Sequence, residues 1–217
     1  MQVADQAASS RFLRFLRSSW VDRTIAAIAV APFVYLLYQQ FQEGKLGLPQ
    51  IVAILQFASI ILTMIIRRPP VRITTNPLFW LLAFVATYGG LFTVALYQPG
   101  KSLAPRYVVN TIDVLSLIIS LWARLSLGRN IGVVPAERQI VTTGAYDYVR
   151  HPIYTGIFLS LIALQLSGFS WRNLLLDSIS AGLWIVKTFV EERFLRQNPE
   201  YAAYMKRVRW RWFPWIG

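Results

Sequence analysis

The sequence predicts an all-α, polytopic helical membrane protein of five to six transmembrane helices, the last two a candidate helical hairpin. Three observations predict it. Of the 217 residues, 55% are hydrophobic, and they fall in runs rather than in the alternating or amphipathic patterns of soluble folds. Six runs, residues 24–41, 48–66, 77–96, 108–127, 152–169 and 173–190, approach the ~20 residues that cross a ~30 Å hydrocarbon core. The last two are short, so five complete spans with a re-entrant hairpin stand beside six. The basic residues are also one-sided. With a cytoplasmic N-terminus, 18 of the 22 lysines and arginines lie on that side, leaving Lys45, Lys101, Arg106 and Arg172 on the other, a strong positive-inside bias. Topology and anionic lipid headgroups therefore account for the net charge of +12 without a nucleic-acid partner. Both termini are expected to be cytoplasmic. The oligomeric state has no signature in the sequence.

Along the chain, residues 10–21 interleave Arg11, Arg14 and Arg17 with Phe12, Leu13, Phe15, Leu16 and Trp20, which suits an interfacial helix or a plain basic flank. Ala29-Val30-Ala31 has the form of a signal-cleavage site, but Pro32 would follow the cut directly, so the first helix is expected to be retained. Two glycines in residues 42–47 make the first two helices an antiparallel hairpin. Pro69 and Pro70 stop the second helix, and Arg67, Arg68 and Arg72 anchor it on the cytoplasmic side. Gly89-Gly90 is expected to admit a neighbouring backbone. Asp113 is costly in lipid and should face the bundle interior or a water-filled recess, with solvation by the outer interface as the simpler reading. Gly128 ends the fourth helix. Trp210, Trp212 and Trp215 in the basic tail suit an interfacial aromatic belt. Residues 1–127 thus read as membrane-anchoring helices and 128–217 as a cofactor-binding and catalytic region of one integrated membrane domain.

Chemistry concentrates in residues 140–156, IVTTGAYDYVRHPIYTG. This stretch holds the only histidine, an arginine, three tyrosines and a proline between two hydrophobic runs. One segment later Glu191-Glu192 closes a hydrophobic helix, with Lys187 one turn earlier, and a short hairpin would return these residues to His151. Carboxylate and cation share a helix face at i and i+4, where they are costly unless they pair or bind something. The plain alternatives are a Lys187–Glu191 ion pair that settles the helix end, a His151 held extended by Pro152 that only bonds a carbonyl, and tyrosines that only anchor the interface. With no cysteine and one histidine, no disulfide or cysteine nucleophile exists and no protein-only metal site is expected.

Gly144-x-Tyr146-x-x-x-Arg150-His151-Pro152-x-Tyr154-x-Gly156, then Glu191-Glu192-x-x-Leu195, then Tyr201-x-x-Tyr204-x-x-x-Val208 before Pro214-x-Ile216, resembles the isoprenylcysteine carboxyl methyltransferase family, whose wider group includes phospholipid N-methyltransferases. The resemblance covers roughly residues 127–216. It implies a membrane enzyme that binds S-adenosylmethionine at the cytoplasmic face and methylates a lipophilic acceptor from the bilayer. By position, it implies cofactor contacts from Arg138, Gln139, Ile140, Val141, Tyr146, His151, Pro152, Ile153, Tyr154 and Glu191, and catalytic roles for Lys187, Arg150 and Glu192. Two positions depart from the family's pattern. Arg138 stands where relatives commonly have histidine, and Lys187 where they often have an arginine facing the acceptor carboxylate, so a planar fork is replaced by a point charge.

Methyl transfer from a sulfonium to a carboxylate annihilates charge, so a dry site favours it. A carboxylate acceptor is already ionised at neutral pH, whereas an amine needs a base, for which His151 and Glu192 are the local candidates. A prenylcysteine-type or other lipid carboxylate is therefore the leading acceptor, with an amino-lipid second. A membrane NADPH-dependent reductase of the sterol type, which shares the His-Pro-x-Tyr element, is a competing enzyme class. A non-catalytic protein whose basic aromatic tail binds anionic lipid is the third reading.

Overall fold

The computed structural model describes residues 48–215 except Pro69, with isolated positions between residues 24 and 42. The expectations for residues 10–21, for most of the first span and for the turn after it lie outside the described residues. The described elements are, in order, α1 (Leu48–Ile66), β1 (Arg72–Ile73), α2 (Pro77–Ala95), α3 (Arg106–Leu127), β2 (Ala136–Glu137), α4 (Pro152–Ser167), α5 (Trp171–Leu195) and α6 (Pro199–Arg207). Local chemistry sets their ends. Gly128 terminates α3 with φ of 55°, a region that costs glycine least. Pro152 begins α4, where its missing N–H leaves no bond unmade. Ser170 caps α5 by accepting from the Asn173 amide, and Asn198 caps α6 by accepting from that of Glu200, each satisfying an orphan first-turn donor.

The helices match the expected apolar runs closely. Two of them, Arg106–Asn130 and Trp171–Leu195, are long and apolar enough to cross a membrane, while α4, at 16 residues, is shorter. The antiparallel pair of Arg72 with Glu137 and Ile73 with Ala136 corrects a purely helical expectation. It zips the proline-stopped linker after α1 onto the segment after α3, extended by Arg68 N–H to Arg129 O at 2.7 Å and Thr74 N–H to Pro135 O at 3.1 Å. Proline prevents helix on one side and the Gly128 cap ends it on the other, so two extended segments satisfy each other's backbone.

The packing pairs α3 with α4 and α2 with α5, and α1 rests against α3. The α4–α5 hairpin is tight in its three-residue loop, but its helices diverge to these different partners. Glycine makes the α3–α4 approach possible. A Cβ on Gly156 would stand 2.1 Å from Ser120 Oγ and 2.8 Å from the Ser116 carbonyl oxygen. This is the close approach expected at Gly89-Gly90, where, among the described residues, a Cβ on Gly89 would meet only Val85 of its own helix. After α6 the chain returns along the start of α4, through Arg150 N–H to Trp210 O at 2.9 Å and His151 N–H to Arg211 O at 2.8 Å. Trp212 consequently packs edge-on against Phe158 and Phe189 and donates to Thr188 Oγ1. Trp212 is half-buried by these contacts, while Trp215 is exposed.

Candidate active site

Divergence of the two helix pairs leaves a cavity of about 500 Å³ between them, within the ~300–1,000 Å³ common for small-molecule sites. Its polar end is built by the segment from β2 to the start of α4 and by the end of α5. Arg138, Gln139, Ile140 and Val141 all line it. The Arg138 guanidinium is buried, donates from Nε to the Arg68 carbonyl at 3.0 Å, and lies where a Cβ on Gly132 would collide with it. Burial, reinforced by nearby Arg67, pulls it down to about 10, so it stays charged at neutral pH. Tyr146 lies in the short 3-10 turn Gly144–Asp147, and its carbonyl accepts from Tyr204 OH at 2.7 Å. Burial raises the Tyr146, Tyr201 and Tyr204 phenols, which therefore present neutral rings and hydroxyls.

The two glutamates, adjacent in sequence, differ in surroundings. Glu192 accepts from Arg150 Nε at 2.6 Å and Arg211 Nε at 3.1 Å. Arg150 also donates to the carbonyls of Val208 and Arg209, at 2.8 and 2.6 Å. This buried cluster fastens the tail onto the start of α4, and Glu192 does not line the cavity, although Arg150 does. Glu191 turns toward the cavity, accepting from Tyr154 OH at 2.7 Å, with Lys187 Nζ at 3.7 Å and His151 Nδ1 at 4.0 Å. His151 stacks on Tyr154 with centroids 5.2 Å apart. Its Nε2 is buried 3.3 Å from Glu192 Oε1 without hydrogen-bond geometry, and among the described residues no carbonyl accepts from it. The hairpin therefore does bring Glu191 and Glu192 back to His151.

Lys187 is buried, donates to Thr87 Oγ1 at 3.0 Å and lies 4.6 Å from the Trp184 ring centroid. Both sequence readings of it hold geometrically, since it pairs loosely with Glu191 and also lines the cavity. Of the expected cofactor residues only Pro152 is absent from the lining, its role being the start of α4. Sequence reasoning missed Arg124, Trp184, Tyr201 and Tyr204, which line the cavity. Arg124 had a legible signal. Asp113, Ser116, Ser120 and Arg124 recur at helical spacing in an apolar helix, a polar stripe facing inward. Asp113 is buried and lines the cavity, which favours the bundle-interior reading over the outer interface.

Beyond the polar end the cavity runs between apolar walls along α4 to Ile157, Leu161 and Leu164, with Val52 and Ile60 of α1 opposite. From His151 to Leu164 the helical rise alone is roughly 20 Å. Carboxylate, buried cations, neutral phenols and an apolar channel thus share one space. That donor set fits a zwitterionic, aromatic-bearing sulfonium cofactor beside a lipid chain. Residues 105–202 match the phospholipid methyltransferase family, which belongs to the same group of membrane methyltransferases as the isoprenylcysteine carboxyl methyltransferases. A comparison with curated proteins finds no match.

Proposed function

We propose, from the match of residues 105–202 to that family, that the chain is an integral-membrane S-adenosylmethionine-dependent O-methyltransferase acting on a lipophilic carboxylate, of the prenylcysteine type or another lipid acid. The observation that carries this reading is the cavity, which joins a polar end to an apolar channel deep among the helices. A lipid acid matches that polarity along its length.

When bound, S-adenosylmethionine supplies an electrophilic sulfonium methyl, whose transfer to a carboxylate oxygen leaves the electron pair of the broken C–S bond on sulfur. Glu191, the Arg138–Val141 segment, Tyr146 and Tyr154 line the cavity and would hold the cofactor. Lys187 attracts the acceptor carboxylate, and its burial between Thr87 and Trp184 limits its competition with water. Arg150 and Glu192 act as positioning residues, fastening the tail so that His151 and Tyr154 keep their stacking. Alignment and exclusion of water are the protein's main contributions. No general base is needed, which suits the engagement of Glu192 by two arginines. The division into anchoring helices 1–127 and catalytic region 128–217, the five to six spans and the cytoplasmic location of both termini belong to this same proposal.

The match to a phospholipid methyltransferase model favours a second reading, methylation of an amino-lipid, in which His151 would have to accept a proton. Mass spectrometry of a lipid extract incubated with the protein and methyl-labelled cofactor tests the two together. Methyl esters support the first and N-methylated headgroups the second. Titration with S-adenosylmethionine and with NADPH separates both from a reductase, for which only NADPH would bind.

A further inference from the structure

Arg124, in the last turn of α3, is 8% exposed and lines the cavity. Its Nε is buried without a hydrogen-bond partner, and among the described residues its guanidinium has neither a hydrogen bond nor an ion pair. The contrast with Arg150 is direct, since that equally buried guanidinium bonds Glu192 and two carbonyls. An unpaired buried cation carries a desolvation penalty that nothing in the fold offsets, and such groups persist where a counter-ion arrives with a ligand. Arg124 stands within electrostatic reach of Lys187, Tyr146 and Tyr154, facing the same space as Lys187 from another helix. A planar fork also matches the two oxygens of a carboxylate, as an ammonium does not.

We propose that Arg124 is the bidentate carboxylate receptor of this cavity, supplying from α3 the fork that Lys187 on α5 does not. The inference rests on the methyltransferase reading for the nature of its ligands. A carboxylate there comes from one of two sources, the amino-acid moiety of the cofactor or the lipid acceptor. Either way, the guanidinium receives it where water is scarce and leaves Lys187 as a point charge beside it.

The test uses the full chain in nanodiscs and two ligand pairs that differ chiefly at a carboxylate: S-adenosylmethionine against its decarboxylated form, and palmitic acid against palmityl alcohol. Wild type should prefer the carboxylate in at least one pair, and Arg124→Met should abolish that preference with a loss of about ten- to a hundredfold in affinity for the acid, typical of a charge-assisted bond. Loss in the cofactor pair assigns the cofactor carboxylate, and loss in the lipid pair assigns the acceptor. Arg124→Lys, which keeps charge without the fork, should recover only part of the preference. Ligand-free Arg124→Met should be at least as thermostable as wild type, because an unpaired charge is removed. A large drop in its melting temperature, or preferences in both pairs that survive substitution, would overturn the proposal. If wild type bound neither cofactor form, the methyltransferase reading would fail, while the lipid pair would still decide whether Arg124 receives a carboxylate.

Discussion

The two ends of the α4–α5 pair bury polar groups in opposite ways. At the loop end, Asn173 donates to the carbonyls of Gln98 and Gly168, at 3.0 and 2.8 Å, and accepts from the Gln98 amide. Asp177 accepts from Tyr97 OH and Gln165 Nε2, leaving only the Gln165 amide oxygen over. At the other end, among the described residues, Arg124 Nε and His151 Nε2 have no hydrogen-bond partner, Lys187 makes one hydrogen bond, and Glu191 faces a cavity. A satisfied buried network rigidifies, whereas groups left half-satisfied around a void await a ligand. The unfinished hydrogen bonding sets this end apart as the candidate site, without reference to motif.

The contrast breaks most visibly at the glutamates. Glu192→Ala leaves Arg150 and Arg211 facing each other without their carboxylate, and loss of one partner of a buried pair costs about 3–5 kcal/mol. Thermal or denaturant unfolding in detergent should show this as a large loss of stability, and a wild-type transition would remove the clamp role. Glu191→Gln and His151→Ala should instead leave the transition nearly in place while weakening S-adenosylmethionine binding by about 1.5–3 kcal/mol, roughly ten- to over a hundredfold. Equal cofactor affinity in all three proteins would detach these residues from the site.

Asn173→Ala sharpens the same contrast from the loop end. Stranding its backbone partners should cost about 1–3 kcal/mol of stability with cofactor affinity unchanged, and a parallel loss of affinity would show the two ends to be coupled. Smaller effects are expected at Lys187. Lys187→Arg should retain turnover, while Lys187→Met should raise the acceptor KM with little change in cofactor affinity. If Lys187 serves only Glu191, the methionine variant would weaken cofactor binding or stability instead. The pH profile adds a final discrimination. Arg138, at about 10, keeps its charge between about pH 6 and 8, and the buried phenols stay neutral, so turnover on a carboxylate acceptor should be flat over that window. An amine acceptor should give a rate that rises with pH.

Helix positions were legible in the sequence because hydrophobic run length, Pro152, Gly128 and Ser170 act locally, each through its own backbone or that of the next turn. The return of Glu191 to His151 was legible for the same reason, since a short loop between two apolar helices permits little else. Which neighbour each side chain meets was not. Adjacent glutamates on one helix point about 100° apart, so only the fold of the tail determines that Glu192 is enclosed by Arg150 and Arg211 while Glu191 faces the cavity. The inward stripe that holds Arg124 is readable in the sequence, but its isolation appears only when α3 packs on α4 through Gly156 and, among the described residues, no carboxylate pairs with it. Local stereochemistry determined the elements. The site was decided by long-range packing, because charge and hydrogen-bond satisfaction depend on partners that no residue carries in its own sequence neighbourhood.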